Sequence, residues 1–366
     1  MPRQVPEAWD GMVPPITMPG RHKLTDEFIR ASPWTDMSGP GTMLDIGCGY
    51  PPVTTGETAE RFPDWSITVA DPGLPEFILY DERGDYAAIR ADGTVQYVQP
   101  KESDLERWDE LFRDVAGTRA RFTALFEKLL PQLPASGQDD EVTVQDGDVK
   151  LVKNPARHFE RPNLTLRRAA IGDFEPDPVD VARIFNVLFY FDAAFRETAV
   201  EWFTKALRTG GTLICGTDLF NSSKARYTVY RKEPGGALAE KEFAFGLDNA
   251  RPLLGITSLA FVDDDHETER LAKLLGELRS DRVFAKELDV GGDEILNELG
   301  LGRRDADGNM DVIDWALPQA EMVGRVAHLM TRLDSEGYVA RAVEVLNAKG
   351  YDARRNEVGH IAVGSA

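Results

Sequence analysis

Two carboxylates and a glycine turn carry the most specific chemistry in the chain. Asp45 stands two positions before Gly47-Cys48-Gly49, and Asp71 follows after a further helix-and-strand's worth of residues. Neither Gly47 nor Gly49 has a Cβ, so the backbone there can turn sharply and lie close to a ligand. A carboxylate only accepts hydrogen bonds and can take two O–H donors at once, which suits an acid aimed at a polar guest. Capping the turn is the other role open to Asp45 and Asp71. Asn186 lies in the most apolar run of the chain, Val181 to Phe191, and must find a hydrogen-bond partner in backbone, ligand or substrate. Two acidic runs invite a metal reading. Asp263-Asp264-Asp265-His266 precedes a helical pattern, where acids complement the dipole. Asp305-Ala306-Asp307-Gly308-Asn309 has its glycine misplaced for a calcium loop and no closing glutamate, so it reads as a turn.

These residues need a strand–turn–helix–strand unit to position them. Met43, Leu44 and Ile46 form a short apolar strand that delivers Asp45 to the glycines. Pro51 and Pro52 suit the first turn of a helix, Thr54 and Glu57 have capping-box spacing, and Pro63 ends it. Ile67 to Ala70 make a second buried strand that closes on Asp71. In a doubly wound sheet a ligand sits at those carboxyl ends, over the turn. A dinucleotide fingerprint would need a third glycine where Pro52 stands, which counts against an NAD-dependent dehydrogenase.

Asp45-Ile46-Gly47-Cys48-Gly49 resembles the first motif of class I S-adenosylmethionine (SAM) methyltransferases. The resemblance implies a Rossmann-like, seven-stranded, mostly parallel α/β sheet with helices on both faces and S-adenosyl-L-methionine as cofactor. It implies that Asp45 helps place the methionine end, that Gly47, Cys48 and Gly49 pass beneath the cofactor, and that Asp71, with Pro72 beside it, takes the ribose hydroxyls. Ile171-Gly172-Asp173-Phe174 is similar to the segment that grips adenine, with a capped strand-end turn as the alternative. Asn186 would emerge beside the methyl group, and Arg21, His22 and Arg30 could meet the cofactor carboxylate. Transfer would be in line, to a nitrogen or oxygen. His22, Tyr190 and His360 are unranked candidates for a base. Asn186 to Asp192 also resembles a run in chemoreceptor glutamate methyltransferases, which keeps protein carboxylate methylation open. A catalytically silent SAM-binding protein is the remaining alternative.

The 366 residues, 42% apolar, exceed one minimal domain. A net charge of −20 disfavours nucleic acid partners. Cys48 and Cys215 read as buried small hydrophobes of a reducing compartment. With no signal peptide and no membrane-length apolar run, a cytoplasmic protein is expected. Residues 1–41 read as an arm and one helix. Residues 42–72, 163–217 and 334–366 form the core, and 73–162 and 218–333 are two α+β insertions expected to make a lid over a small-molecule or peptide acceptor. Within the first, Phe77–Tyr80 and Val95–Val98 are predicted to pair, followed by one long amphipathic helix from Leu105 to Leu129. In the core, Gly210-Gly211 is expected to stop a helix before the fifth strand, and Ser335 to Lys349 to form the last helix.

Overall fold

The computed structural model describes residues 19–101, 105–135, 137, 140–218, 224–250, 266–304, 310–311 and 319–365. Helix α1 (Lys23–Ala31) leads into strand β1 (Thr42–Ile46), helix α2 (Val53–Arg61) and strand β2 (Ser66–Ala70). The chain then builds β3 (Phe77–Tyr80), β4 (Tyr86–Ile89), β5 (Val95–Gln99), α3 (Leu105–Arg113), α4 (Val115–Leu129), β6 (Val142–Asp146) and β7 (Val149–Lys153). Next come β8 (Leu164–Arg167), β9 (Val179–Phe185), α5 (Ala193–Ala206), β10 (Leu207–Thr217), β11 (Arg226–Lys232) and β12 (Leu238–Phe245). The last part comprises α6 (His266–Ser280), α7 (Arg282–Glu298), the two-residue strands β13 (Arg303–Arg304) and β14 (Met310–Asp311), α8 (Gln319–Ser335), α9 (Tyr338–Ala348), β15 (Ala353–Arg355) and β16 (Ile361–Gly364).

The main sheet has nine strands in the order β15-β16-β12-β11-β10-β9-β1-β2-β8, where seven were expected. Strands β8, β2, β1, β9 and β10 are parallel; β11, β12, β16 and β15 continue antiparallel. The two extra strands are the hairpin β11–β12, which belongs to the second insertion. It joins the sheet because both faces of β11 are covered: Tyr227 and Val229 face one core, while Thr228 meets Glu267 of α6 on the other. The closing pair β15–β16 therefore sits on β12, beyond the hairpin.

Met43, Ile67, Val69 and Val181 pack on Phe28 and Ile29 of α1 and on Ala59 and Phe62 of α2. Their alternate neighbours Leu44, Ile46, Ala182 and Ile184 face Ala199, Trp202 and Phe203 of α5. Phe243, Phe245, Ile361 and Val363 face the layer of α6, α7, α8 and α9. The second insertion thus contributes a sheet hairpin and a helical layer on one sheet face. The link from β8 to β9 contains no helix, and Ser66, Thr165 and Arg167 are exposed beside it.

Residues 77–153 form a second, five-stranded antiparallel sheet in the order β5-β4-β3-β7-β6. Strand β3 pairs with β4 and not with β5, because Tyr86–Ile89, overlooked in the sequence, returns first over a turn at Asp81–Asp85. The predicted long helix is two. Asp114 breaks it by accepting a hydrogen bond from the Gly117 N–H at 2.9 Å, the N-cap of α4. Two local expectations also change. Pro52 occupies the N-cap of α2, so Thr54 and Glu57 form no capping box, and Glu57 accepts from the Gly20 N–H at 2.8 Å. Gly210 and Gly211 lie in an irregular stretch inside β10, the helix having stopped at Ala206. The acidic runs at 263–265 and 305–309 and most of the N-terminal arm fall outside the described residues.

Candidate functional site

The parallel strands change direction of winding between β1 and β9, which opens a crevice at their carboxyl ends. Gly47 and Gly49 occupy it with φ of +85° and +66°, values that favour glycine. The Gly47 N–H donates to the Ala70 carbonyl at 3.0 Å. A Cβ on Gly47 would lie 2.2 Å from Val187 Cγ2, so the turn is pressed against the end of β9. Asp71 accepts from the Gly49 N–H at 2.7 Å and from the Gly73 N–H at 2.6 Å. Burial raises its carboxyl above the ordinary range, against the pull of those two N–H donors. Each oxygen keeps acceptor capacity beyond its backbone bond. Cys48 is buried, its thiol pushed well above its usual value by burial and then by Asp71 and Asp45. Pro72 is exposed at the rim.

Asp45 belongs to a buried ion network that the sequence reading missed. Arg183 on β9 donates to Asp45 through Nε at 2.9 Å and Nη2 at 2.6 Å, and to Asp26 of α1 through Nη1 at 2.7 Å. Thr55 donates to Asp45 at 2.9 Å, while Thr58 and Arg61 donate to Asp26. Burial would raise the Asp45 carboxyl, but Arg183 overrides it and holds the group below its usual value. Both Asp45 oxygens are therefore taken by protein groups, and the residue fixes the turn and α1. The missed signal was a lone cation in a strand buried on both faces, which must be paired.

A second cluster lies where β9 and β10 end. Asn186, at φ +57°, donates to Asp218 Oδ1 at 3.0 Å and accepts from the Asp218 N–H at 3.0 Å. Asp218 Oδ2 stands 3.5 Å from His22 Nδ1, and both atoms are buried without a closer hydrogen-bond partner among the described residues. Arg21 Nε lies 3.8 Å from the same carboxylate. His22 also meets the Phe185 ring edge-on at 5.5 Å. Asp218 was not singled out in the sequence, although it follows β10 as Asp71 follows β2. Tyr190 is half-buried in the turn after β9, and burial raises its hydroxyl.

The remaining candidates lie on other elements. Asp173 is exposed and accepts from the Ala170 N–H at 2.8 Å. The Phe174 ring packs on Trp202 at 5.3 Å and beneath the Arg167 guanidinium at 4.6 Å, in a recess shared with Thr42, Leu44 and Thr68 on the sheet face. Arg30 lies over Phe62 and donates to the Arg61 carbonyl, away from the glycine turn. His360 is buried in the core, where burial lowers it to about 4, and shares a 3.2 Å bond with the Tyr227 hydroxyl. Among the described residues no cluster of metal-ligating side chains occurs, and no helix is long and apolar enough to cross a membrane.

The glycine turn, the buried Asp71 and the loosely held His22–Asp218 pair fit a polar guest at these strand ends. Neither family models nor curated proteins match the sequence. Among solved structures, the mitomycin 7-O-methyltransferase MmcR is 14% identical over 54% of this chain and 36% of its own length, with a TM-score of 0.25. Human N-acetylserotonin methyltransferase in complex with SAM is 11% identical over 53% of this chain and 33% of its own, TM-score 0.26. PKMT2 from Rickettsia typhi is 12% identical over 93% of this chain and 44% of its own, TM-score 0.26. The chain thus spans less than half the length of each of these structures.

Proposed function

We propose that the chain is a SAM-dependent methyltransferase acting on a nitrogen or oxygen of a small molecule or peptide. The observation that carries this reading is the coupling of Gly49 to Asp71 at the switch point of the sheet. Asp71 would take the ribose hydroxyls, and Gly47 and Gly49 would let the cofactor lie against backbone. Asp173 would reach adenine from the β8–β9 turn. Asp45 would act through Arg183, by holding the turn and α1 in register.

When bound, the cofactor supplies an electrophilic sulfonium methyl. The acceptor end would be formed by His22, Asn186, Tyr190 and Asp218. Asn186 fixes Asp218, and Asp218 faces His22 Nδ1, so a proton on Nδ1 leaves Nε2 to accept one from the acceptor. Burial keeps Tyr190 protonated, which makes it a donor and not a base. The net charge of −20 favours an amine-bearing acceptor over a phosphorylated one.

Calorimetry tests the reading directly: SAM and S-adenosylhomocysteine should bind, and tight NAD binding without a SAM signal would end it. Labelled SAM presented with amines, phenols and carboxylates then identifies the acceptor. No turnover with any of them would favour a silent SAM-binding protein, and base-labile label on a protein glutamate would favour carboxylate methylation.

A further inference from the structure

The five-stranded sheet turns an aromatic face toward the glycine turn. Strand register puts Tyr80 opposite Tyr86 and Ala88 opposite Tyr97, so Tyr80, Tyr86 and Tyr97 share one face. Phe77, on the other face, meets Phe126 of α4 with ring centroids 5.1 Å apart. The tyrosine face is completed by Tyr50, which directly follows Gly49 and packs in the same core as Cys48 and Tyr97. Tyr86 donates to Gln99 at 2.6 Å. Tyr97 differs: it is 3% exposed, and its hydroxyl has no hydrogen-bond partner among the described residues.

A buried hydroxyl without a partner is costly and calls for a guest. The sheet that carries Tyr97 starts at Phe77, only a few residues beyond Asp71, so the insertion is anchored at the end of β2. The surroundings agree with that placement. Burial, followed by the Tyr86 and Tyr50 hydroxyls and the Asp71 carboxylate, pushes the Tyr97 hydroxyl well above its usual value, so it remains a donor throughout the ordinary pH range.

We propose that the Tyr97 hydroxyl is a binding group for the ribose edge of the cofactor, donating to the ribose 2′- or 3′-oxygen while Asp71 accepts from the ribose hydroxyls. The first insertion is then a wall of the cofactor site, and acceptor recognition falls to the His22–Asp218 side. This rests on the methyltransferase reading, and the experiment separates the two. Wild type and Tyr97→Phe are titrated calorimetrically with S-adenosylhomocysteine and with its 2′-deoxy and 3′-deoxy analogues, with no acceptor present. Thermal unfolding of the free proteins is measured alongside.

Tyr97→Phe should leave the free protein as stable as wild type or more so, because it removes an unpaired buried hydroxyl. It should weaken S-adenosylhomocysteine binding about five- to tenfold, the scale of one neutral hydrogen bond. The loss should shrink for the analogue that lacks the contacted ribose oxygen. Unchanged affinity, or an equal loss for all three ligands, would overturn the ribose contact. A free variant that melts earlier and binds normally would mean that the hydroxyl is bonded within the protein. Absence of any binding by wild type would instead sink the methyltransferase reading itself.

Discussion

Arg183→Met tests the buried network that joins α1 to the glycine turn. The substitution keeps an apolar stem but deletes three donors to Asp45 and Asp26. Asp26 would still be served by Arg61 at 2.6 Å and Thr58 at 3.1 Å. Asp45, 3% exposed, would keep only Thr55. Breaking a buried pair from one side costs about 3–5 kcal/mol, a large share of the ~5–15 kcal/mol that stabilises a typical protein. Urea unfolding at pH 7 should show that deficit. The variant also carries a pH signature. Without Arg183, desolvation raises the Asp45 carboxyl above its unfolded value of 3.8, so the folded state binds more protons than the unfolded one. Acidification from pH 7 toward 5 should therefore narrow the gap to wild type, by at most ~1.4 kcal/mol per pH unit. Adding Asp45→Asn should recover part of the loss at pH 7. A deficit below ~1 kcal/mol, or a double variant no better than the single one, would refute the account of an uncompensated buried charge.

Asp71→Ala should weaken S-adenosylhomocysteine binding by ~1.5–3 kcal/mol, the scale of a lost charge-assisted bond, read by calorimetry; it also takes the acceptor from the Gly49 and Gly73 N–H groups, so a drop in melting temperature should accompany it. Asp173→Ala should raise the SAM dissociation constant while the melting temperature stays put; normal binding would make Asp173 only a turn cap. His360 is held at about 4 against an ordinary 6.5, so its contribution to stability is complete above pH 6.5 and fades as pH falls toward 4. That amounts to ~3 kcal/mol across the window, and His360→Gln should flatten this part of the unfolding profile measured from pH 7 to 4. Gly47→Ala should destabilise strongly, since φ is +85° and the new Cβ meets Val187; Val187→Ala should relieve the clash but not the backbone strain.

The unit from β1 to β2 was legible because apolar runs, glycines and prolines punctuate it locally. Asn186 was legible as a polar residue needing a partner, but the partner, Asp218, is 32 positions away and nothing local points to it. The same distance effect hid Arg183, whose meaning depends on Asp45 and Asp26 across the fold. Strand β11 could be read as a strand, yet its place in the nine-stranded sheet depends on what covers its two faces. Strand β4 was overlooked because Tyr86–Ile89 is short and lacks a clear alternation. Tyr97 looked like an ordinary strand aromatic, and only register reveals the face it shares.

The ends of the nine-stranded sheet bear on solubility. A sheet left open at both sides offers unpaired backbone groups to any passing strand, including one from another copy. Here one edge strand, β8, has four residues and ends in Arg167, and the other, β15, has three and carries Arg354 and Arg355. Such short, cation-bearing edges are poor templates for further pairing. The same chain that gathers 62 acidic residues against 42 basic ones thus keeps arginines at both borders of this sheet, where a tenth strand would have to pair.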